Sequence, residues 1–106
     1  MKVTTDSCLF GAWVAGELAK EKTDQTSLLD IGAGTGLLSL MIAQKTGLAI
    51  STIEIDTAAY GQAKENITVS PWKERIQLFN DDIRQFNFSK KYDFIVSNPP
   101  FYENEL

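Results

Sequence analysis

The sequence contains no histidine. That absence removes Ser-His-Asp and Cys-His catalysis and the usual zinc ligand sets, and no metal site is expected. Cys8 is the one cysteine, so no intrachain disulfide can form, and a bacterial or other cytosolic setting is expected. Basic residues are in deficit: Lys and Arg number 10 against 14 Asp and Glu, a net charge of −4. Dedicated nucleic-acid-binding domains carry a basic surplus. Here an ordinary solvated acidic surface is expected, and any nucleic-acid partner must be held largely from elsewhere. No apolar run approaches the roughly 18 residues of a membrane span, and no basic start leads into an apolar stretch of the secretory kind. Low-complexity segments, internal repeats and linkers are absent as well. What the 106 residues do hold is 43% hydrophobic and 10% aromatic content, enough for the core of one small domain.

Apolar patterning divides the chain. Asp6 to Lys20 reads as a mostly apolar helix with Leu9, Trp13 and Leu18 and small Ala12, Ala15 and Ala19. Ser27 to Ile31 is a short buried strand. Leu37 to Lys45 reads as a helix with Leu37, Leu40, Met41 and Gln44 along one side, Leu38 and Ile42 beside them, and Gly47 as its stop. Leu48 to Ile53 is a second strand closed by Glu54. Asp56 or Thr57 caps a third helix whose inner stripe is Ala59, Tyr60, Ala63 and Ile67, ended by Ser70-Pro71. Arg75 to Phe79 and Tyr92 to Val96 are the third and fourth strands. Strands without alternation, separated by helices, imply a parallel sheet covered on both faces. The expected fold is α/β, a doubly wound, mostly parallel sheet of order 3-2-1-4, with ligands outside the carboxyl ends of the strands.

Asp30-Ile31-Gly32-Ala33-Gly34-Thr35-Gly36 joins the first strand to the second helix. Glycines at 32, 34 and 36 let the backbone turn sharply and let a ligand approach it, although the same residues also suit a tight turn with no ligand. Position 37 is leucine, so this is not the G-x-G-x-x-G dinucleotide pattern. Asp30 either orients the loop or lies near a positive ligand end. Glu54, at the tip of the second strand, can accept two hydrogen bonds from a ribose diol or serve as a solvated strand end. Asp81 and Asp82 close the third strand. Asp82 is expected to cap a helix and Asp81 to meet an adenine amino group, with Ile83 packed on the ring; both acids also suit a plain turn.

The fourth strand runs into Asn98-Pro99-Pro100-Phe101. An exocyclic amino nitrogen is a poor nucleophile because its lone pair is delocalised into the ring. Asn98 offers a side-chain carbonyl to one N–H, and Pro99 offers a backbone carbonyl to the other. Pro100 stiffens the turn and Phe101 can stack on the base. Transfer then depends on positioning more than on acid–base chemistry, which suits a chain without histidine.

The glycine loop with its acids at three successive strand tips resembles the class I S-adenosylmethionine-dependent methyltransferases. The resemblance implies S-adenosyl-L-methionine as cofactor, held by Asp30, Gly32, Ala33, Gly34, Gly36, Glu54 with Ile55, and Asp81 or Asp82 with Ile83. It makes Asn98, Pro99, Pro100 and Phe101 the catalytic segment of an amino-directed enzyme. The opening Lys2-Val3-Thr4-Thr5-Asp6, Trp13, Ser70-Pro71-Trp72 and Asn98 to Tyr102 are similar to a bacterial family that methylates N6 of the adenine just 3′ of the anticodon in a valine tRNA. In that family the segment matching Thr5 and Asp6 leads into a helix that borders the cofactor; helix capping is the other role open to them. The implied acceptor is tRNA adenine in the cytoplasm. A glutamine amide, rRNA guanine or DNA adenine are alternatives, as is an inactive cofactor-binding fragment. The resemblance further implies one incomplete domain over residues 1–106, lacking a short leading segment and later strands. The missing part would complete the sheet, supply most of the RNA contacts and cover the fourth strand, which otherwise forms an edge prone to association.

Overall fold

Leu28, Leu29 and Ile31 place apolar side chains on both faces of a short segment. Such a segment belongs at a sheet centre. The computed structural model describes residues 5–20, 27–88 and 91–97, and of residues 5–10 the backbone alone. Its elements are α1 (Thr5–Ala19), β1 (Ser27–Ile31), α2 (Leu37–Lys45), β2 (Ala49–Glu54), α3 (Thr57–Thr68), a 3-10 turn (Lys73–Arg75), β3 (Ile76–Asn80) and β4 (Phe94–Ser97). β1 pairs in parallel with β2 and with β4, and β2 pairs in parallel with β3, giving the expected order β3-β2-β1-β4.

Residues paired across the sheet share a face. Ile76, Ile50, Leu28 and Phe94 form one such row. Val14 and Ala15 of α1, Leu38, Ile42 and Ala43 of α2, and Ile67 of α3 pack with it in a single core. The three helices therefore contribute to the same face. Chirality explains this: the right-handed crossovers β1–α2–β2 and β2–α3–β3 advance in one direction across the sheet and leave their helices on one side. The β3–β4 connection returns past β2 and β1 and crosses on the other face. There Phe79 meets Phe86 edge to face at 5.0 Å, Phe86 meets Phe88 at 5.0 Å, and Phe88 meets Tyr92 at 6.4 Å. Among the described residues an aromatic strip, and no helix, covers that second face.

Asp56 caps α3 as expected, its carboxylate accepting from the Ala59 N–H at 2.8 Å. Ala59, Ala63 and Ile67 form the buried stripe, with Tyr60 half-buried. α2 buries a different side from the expected one, and on α1, for which no side was expected, the small residues go in. On α2 the buried residues are Leu38, Ser39, Ile42 and Ala43, while Gln44 is exposed. On α1, Gly11, Val14 and Ala15 are buried and Trp13 is 64% exposed. The cause is α1 packing closely on α2: a Cβ at Gly11 would sit 2.7 Å from Met41 Sδ. Small residues, not the large aromatic, face that contact.

Strand ends shift by a residue or two, and side chains account for two of the shifts. Arg75 lies in the 3-10 turn, not in β3. Its guanidinium donates at 2.7 Å to the Leu48 carbonyl and at 2.7 Å to the Ala43 carbonyl, tying the end of α2 to the start of β2. Ahead of β4, the Asp93 carboxylate accepts from the Ser27 N–H at 3.0 Å and from its hydroxyl at 3.2 Å, which anchors the start of β1. Replacing Arg75 by Ala leaves two carbonyls without their charged donor and should cost about 2 kcal/mol of stability. Arg75→Lys should recover little, because an ammonium cannot span both acceptors as a planar fork does. Urea unfolding midpoints check both; an unchanged midpoint for Arg75→Ala would show the fork to be decorative.

Candidate functional site

Three strand tips meet at one edge of the sheet. Leaving β1, residues 32–36 must reverse the chain and start α2. Gly32, Gly34 and Gly36 do so with φ of 81°, 56° and 84°, and no other described residue has positive φ. A side chain at any of the three would be strained. At Gly36 a Cβ would also stand 3.5 Å from the Cβ of Ala63, so α3 closes on the loop from outside. The loop is stitched down on several sides. The Gly32 and Ala33 N–H groups donate to the Ile53 carbonyl at 2.8 and 3.2 Å. From α3, the Asn66 amide donates to the Thr35 carbonyl at 2.8 Å. α2 then begins with Gly36 at its N-cap and no side-chain cap.

Glu54 lies at the tip of β2 and is 5% exposed. One carboxylate oxygen accepts from the Gly34 N–H at 2.7 Å, the other from the Asp56 N–H at 2.9 Å. Glu54 is therefore the latch between the glycine loop and the entry to α3. It is not a solvated strand end. Each of its oxygens has a second lone pair, so a hydroxyl donor can still be accepted. Beyond it, Ile55 is 62% exposed.

Asp30 is fully buried near the end of β1. Its Oδ2 accepts from Ser39 Oγ of α2 at 2.6 Å and, at longer range, from Thr52 Oγ1 of β2 at 3.4 Å. Among the described residues its Oδ1 is buried without a partner. Burial, chiefly, and the neighbouring Glu54 charge push the Asp30 carboxyl up to about 6 from 3.8, against the lowering pull of the two hydroxyls. Among the described residues neither Asp30 nor Glu54 is paired with Lys or Arg. Two enclosed carboxylates without a countercharge make an anionic well suited to a cationic group.

At the tip of β3, the Asp81 N–H donates to the Glu54 carbonyl at 3.1 Å, and the Asn80 amide donates to the same carbonyl at 2.8 Å. Asp81 Oδ1 accepts from the Asp82 N–H at 2.7 Å. No helix follows, so the expected cap at Asp82 is corrected. Residues 83–85 form a turn, in which Asp82 accepts from the Arg84 N–H at 2.9 Å and pairs with its guanidinium. That hydrogen-bonded pairing holds the Asp82 carboxyl down at about 2. Asp82 thus has a local partner, which leaves Asp81, with half-buried Ile83 in the turn, as the residues after β3 that are open to a ligand.

Asp30, the glycine loop, Glu54 and Asp81 are therefore gathered on one edge. Thr5 and Asp6 open α1, but their side chains lie outside the described residues, as do Asn98, Pro99, Pro100 and Phe101. What the register does show is that Ser97, the last residue of β4, pairs with Ile31, the residue before Gly32. Ser39, Thr52, Asn66 and Asn80 were not anticipated. A signal existed for Ser39, a lone hydroxyl in the apolar run Leu37-Leu38-Ser39-Leu40-Met41-Ile42, which once buried needs an acceptor.

Residues 13–106 match the family model for the methyltransferase small domain. The chain belongs to that family. Among curated proteins it is 48% identical over 107 residues to a tRNA1(Val) (adenine(37)-N6)-methyltransferase of Dyadobacter fermentans, covering 100% of this chain and 42% of that protein. It is 46% identical over 108 residues to a protein of the same name from Bacteroides thetaiotaomicron, covering 100% and 43%. The chain thus spans less than half the length of these relatives. Among solved structures, a putative S-adenosyl-L-methionine-dependent methyltransferase of Methanococcus maripaludis superposes with a TM-score of 0.77 at 24% identity, covering 92% of this chain and 46% of that one. At that identity the likeness concerns the fold. Among the described residues there is no group of three or more His, Cys, Asp or Glu able to hold a metal ion, and no helix long and apolar enough to cross a membrane.

The enclosed Asp30 makes a testable methyltransferase-domain property. Its folded carboxyl binds a proton more tightly than the unfolded chain does. Its contribution to stability is fully present below about pH 4 and is lost as pH rises through about 6. Asp30→Asn abolishes this titration, so between pH 4.5 and 7.5 the native protein should lose about 2 kcal/mol relative to the variant. Urea unfolding at the two pH values measures the difference; parallel pH slopes would contradict it.

Proposed function

We propose that the protein is an S-adenosylmethionine-dependent N-methyltransferase acting on the N6 amino group of adenine in the anticodon loop of a tRNA. The observation that carries the proposal is the register of β4 on β1: Ser97 pairs with Ile31, so the chain enters Asn98-Pro99-Pro100-Phe101 beside the strand from which the glycine loop departs. The curated relatives, whose names specify that acceptor, support the choice of tRNA over protein amide, rRNA or DNA. A tRNA substrate would place the enzyme in the cytoplasm.

The residues fit the cofactor. The buried, unpartnered Oδ1 of Asp30 and the anionic well it shares with Glu54 suit a ligand carrying a sulfonium and an ammonium group. The three left-handed glycines allow close approach of backbone to ligand. Glu54 would accept from the ribose hydroxyls, Asp81 from the adenine amino group, and exposed Ile55 with Ile83 would flank the ring. When bound, S-adenosylmethionine supplies an electrophilic methyl group.

The chain's own work is on the acceptor. Asn98 through its side-chain oxygen and Pro99 through its backbone oxygen accept the two amino hydrogens. That draws the nitrogen toward a pyramidal geometry with its lone pair directed out of the ring system. Pro100 limits the turn and Phe101 stacks on the base. No proton need leave before the methyl transfer, so no histidine is required.

Asn98→Ala in the full-length protein should lower methyl transfer into unmodified tRNA by at least about 100-fold while S-adenosylhomocysteine still binds. Tritium incorporation from labelled cofactor, read in parallel on tRNA and on total protein, measures the first, and titration calorimetry the second. Undiminished transfer would remove the Asn98 role. Label in protein but not tRNA would move the enzyme to another acceptor.

A further inference from the structure

Ser39 is fully buried, sits in the first turn of α2 three residues past Gly36, and enters none of the roles assigned above. Its hydroxyl donates at 2.6 Å to Asp30 Oδ2, the shortest of the contacts around that carboxylate, with Thr52 Oγ1 at 3.4 Å on the same oxygen. Both hydroxyls therefore engage one oxygen, and the other, Oδ1, is enclosed and has no partner. A buried carboxylate oxygen left open in a packed interior needs a donor. The described residues supply none: Val96 of β4 lies in register beside Asp30, and Glu54 of β2, the titratable group that acts on it, is also anionic.

We propose that Ser39 is a positioning residue for the cofactor: by donating to Oδ2 it holds the Asp30 side chain in one orientation and leaves Oδ1 to accept from the ammonium on the amino-acid arm of S-adenosylmethionine. This rests on the cofactor assignment above and adds a residue to it. Ser39 touches no ligand; it acts through Asp30. Losing it frees the carboxylate to turn and removes a hydrogen bond that favours the charged form. Both effects fall on the amino-acid arm of the ligand and leave the adenosine end alone.

Two probes separate those ends. S-adenosylhomocysteine carries the ammonium, whereas 5′-methylthioadenosine keeps the nucleoside and thioether and lacks the amino-acid arm. With the full-length protein and titration calorimetry, Ser39→Ala should weaken S-adenosylhomocysteine about tenfold and change 5′-methylthioadenosine less than about twofold. In an Asp30→Asn background the Ser39→Ala change should have no further effect on either. Ser39→Cys, which fills nearly the same volume with a weak donor, should reproduce the selective loss, and serves if the alanine variant does not fold. A pH series adds a readout that packing alone would not move. Affinity for S-adenosylhomocysteine should fall as pH drops through the Asp30 titration, and both Ser39 variants should move that fall to higher pH. Equal weakening of the two ligands, full additivity with Asp30→Asn, or an unmoved acid limb would overturn the proposal. Failure of the unsubstituted protein to bind either ligand would instead remove the cofactor assignment, and this inference with it.

Discussion

The hydrogen bond from the Gly34 N–H to Glu54 Oε1, 2.7 Å long and buried, is the contact on which the arrangement of the strand tips depends. The glycines confer a backbone that can turn, and by the same freedom one with many other conformations open to it. Something must select one. The latch does so by joining the middle of the loop to a side chain that is itself fixed: Glu54 ends a strand paired on both sides, and its second oxygen holds the entry of α3 through Asp56. The Ile53 carbonyl, one residue earlier, takes the first two N–H groups of the loop. The tip of β2 is thus a template on which the tip of β1 is moulded. Asn80, the last residue of β3, and Asp81 just after it both donate to the Glu54 backbone carbonyl, which extends the same dependence to a third strand.

The interior behind this edge is graded. At the far end of the sheet the row Ile76–Ile50–Leu28–Phe94 is wholly apolar and backed by helical Leu38 and Ile42. Two residues along, the row becomes Leu78–Thr52–Asp30–Val96, with Ser39 above it. Placing a carboxylate and two hydroxyls where aliphatic side chains would pack costs stability, and the open Oδ1 adds to that cost. Local rules broken in one place and kept everywhere else are what a site built into a core looks like. The lower row carries the apolar packing, and the upper row departs from it.

Much of this was legible in the residues. β1, α2 and the cap of α3 were plain because short apolar runs meet strong punctuation: three glycines after Ile31, and an aspartate three residues before Ala59. Strand order followed from helix–strand alternation and from crossover handedness. The buried faces of α1 and α2 were not plain, because both helices are apolar nearly all round, and periodicity carries no information when every side is hydrophobic. Which side goes in was decided by the close contact of Gly11 with Met41. The boundary of β3 was missed because Arg75 is strand-compatible in isolation; it leaves the strand to satisfy carbonyls 27 and 32 residues away, a pairing that exists only in three dimensions. Asp82 reads as a helix cap because Asp before a polar stretch usually is one, yet Arg84 captures it first. In the site, the acids at strand tips could be found by position. Their hydroxyl and amide partners could not, since Ser39, Thr52 and Asn66 carry no local pattern that names their acceptors.

The direction of the chain across the sheet ties these features together. From β1 to β2 to β3 it moves steadily one way, leaving its helices on one face. Between β3 and β4 it reverses and crosses by the opposite face, where Phe79, Phe86, Phe88 and Tyr92 pave the return. The reversal has a consequence that no single residue could supply. Among the described residues it leaves β1, with the glycine loop at its tip, between β2, which ends in Glu54, on one side and the outgoing β4 on the other. Had β4 continued outward beyond β3, the segment beginning at Asn98 would follow a strand three positions from the loop, about 14 Å away at ordinary strand spacing. Placed beside β1, it follows a strand one spacing away. The adjacency of these two strand tips is thus set by the topology before any side chain is chosen.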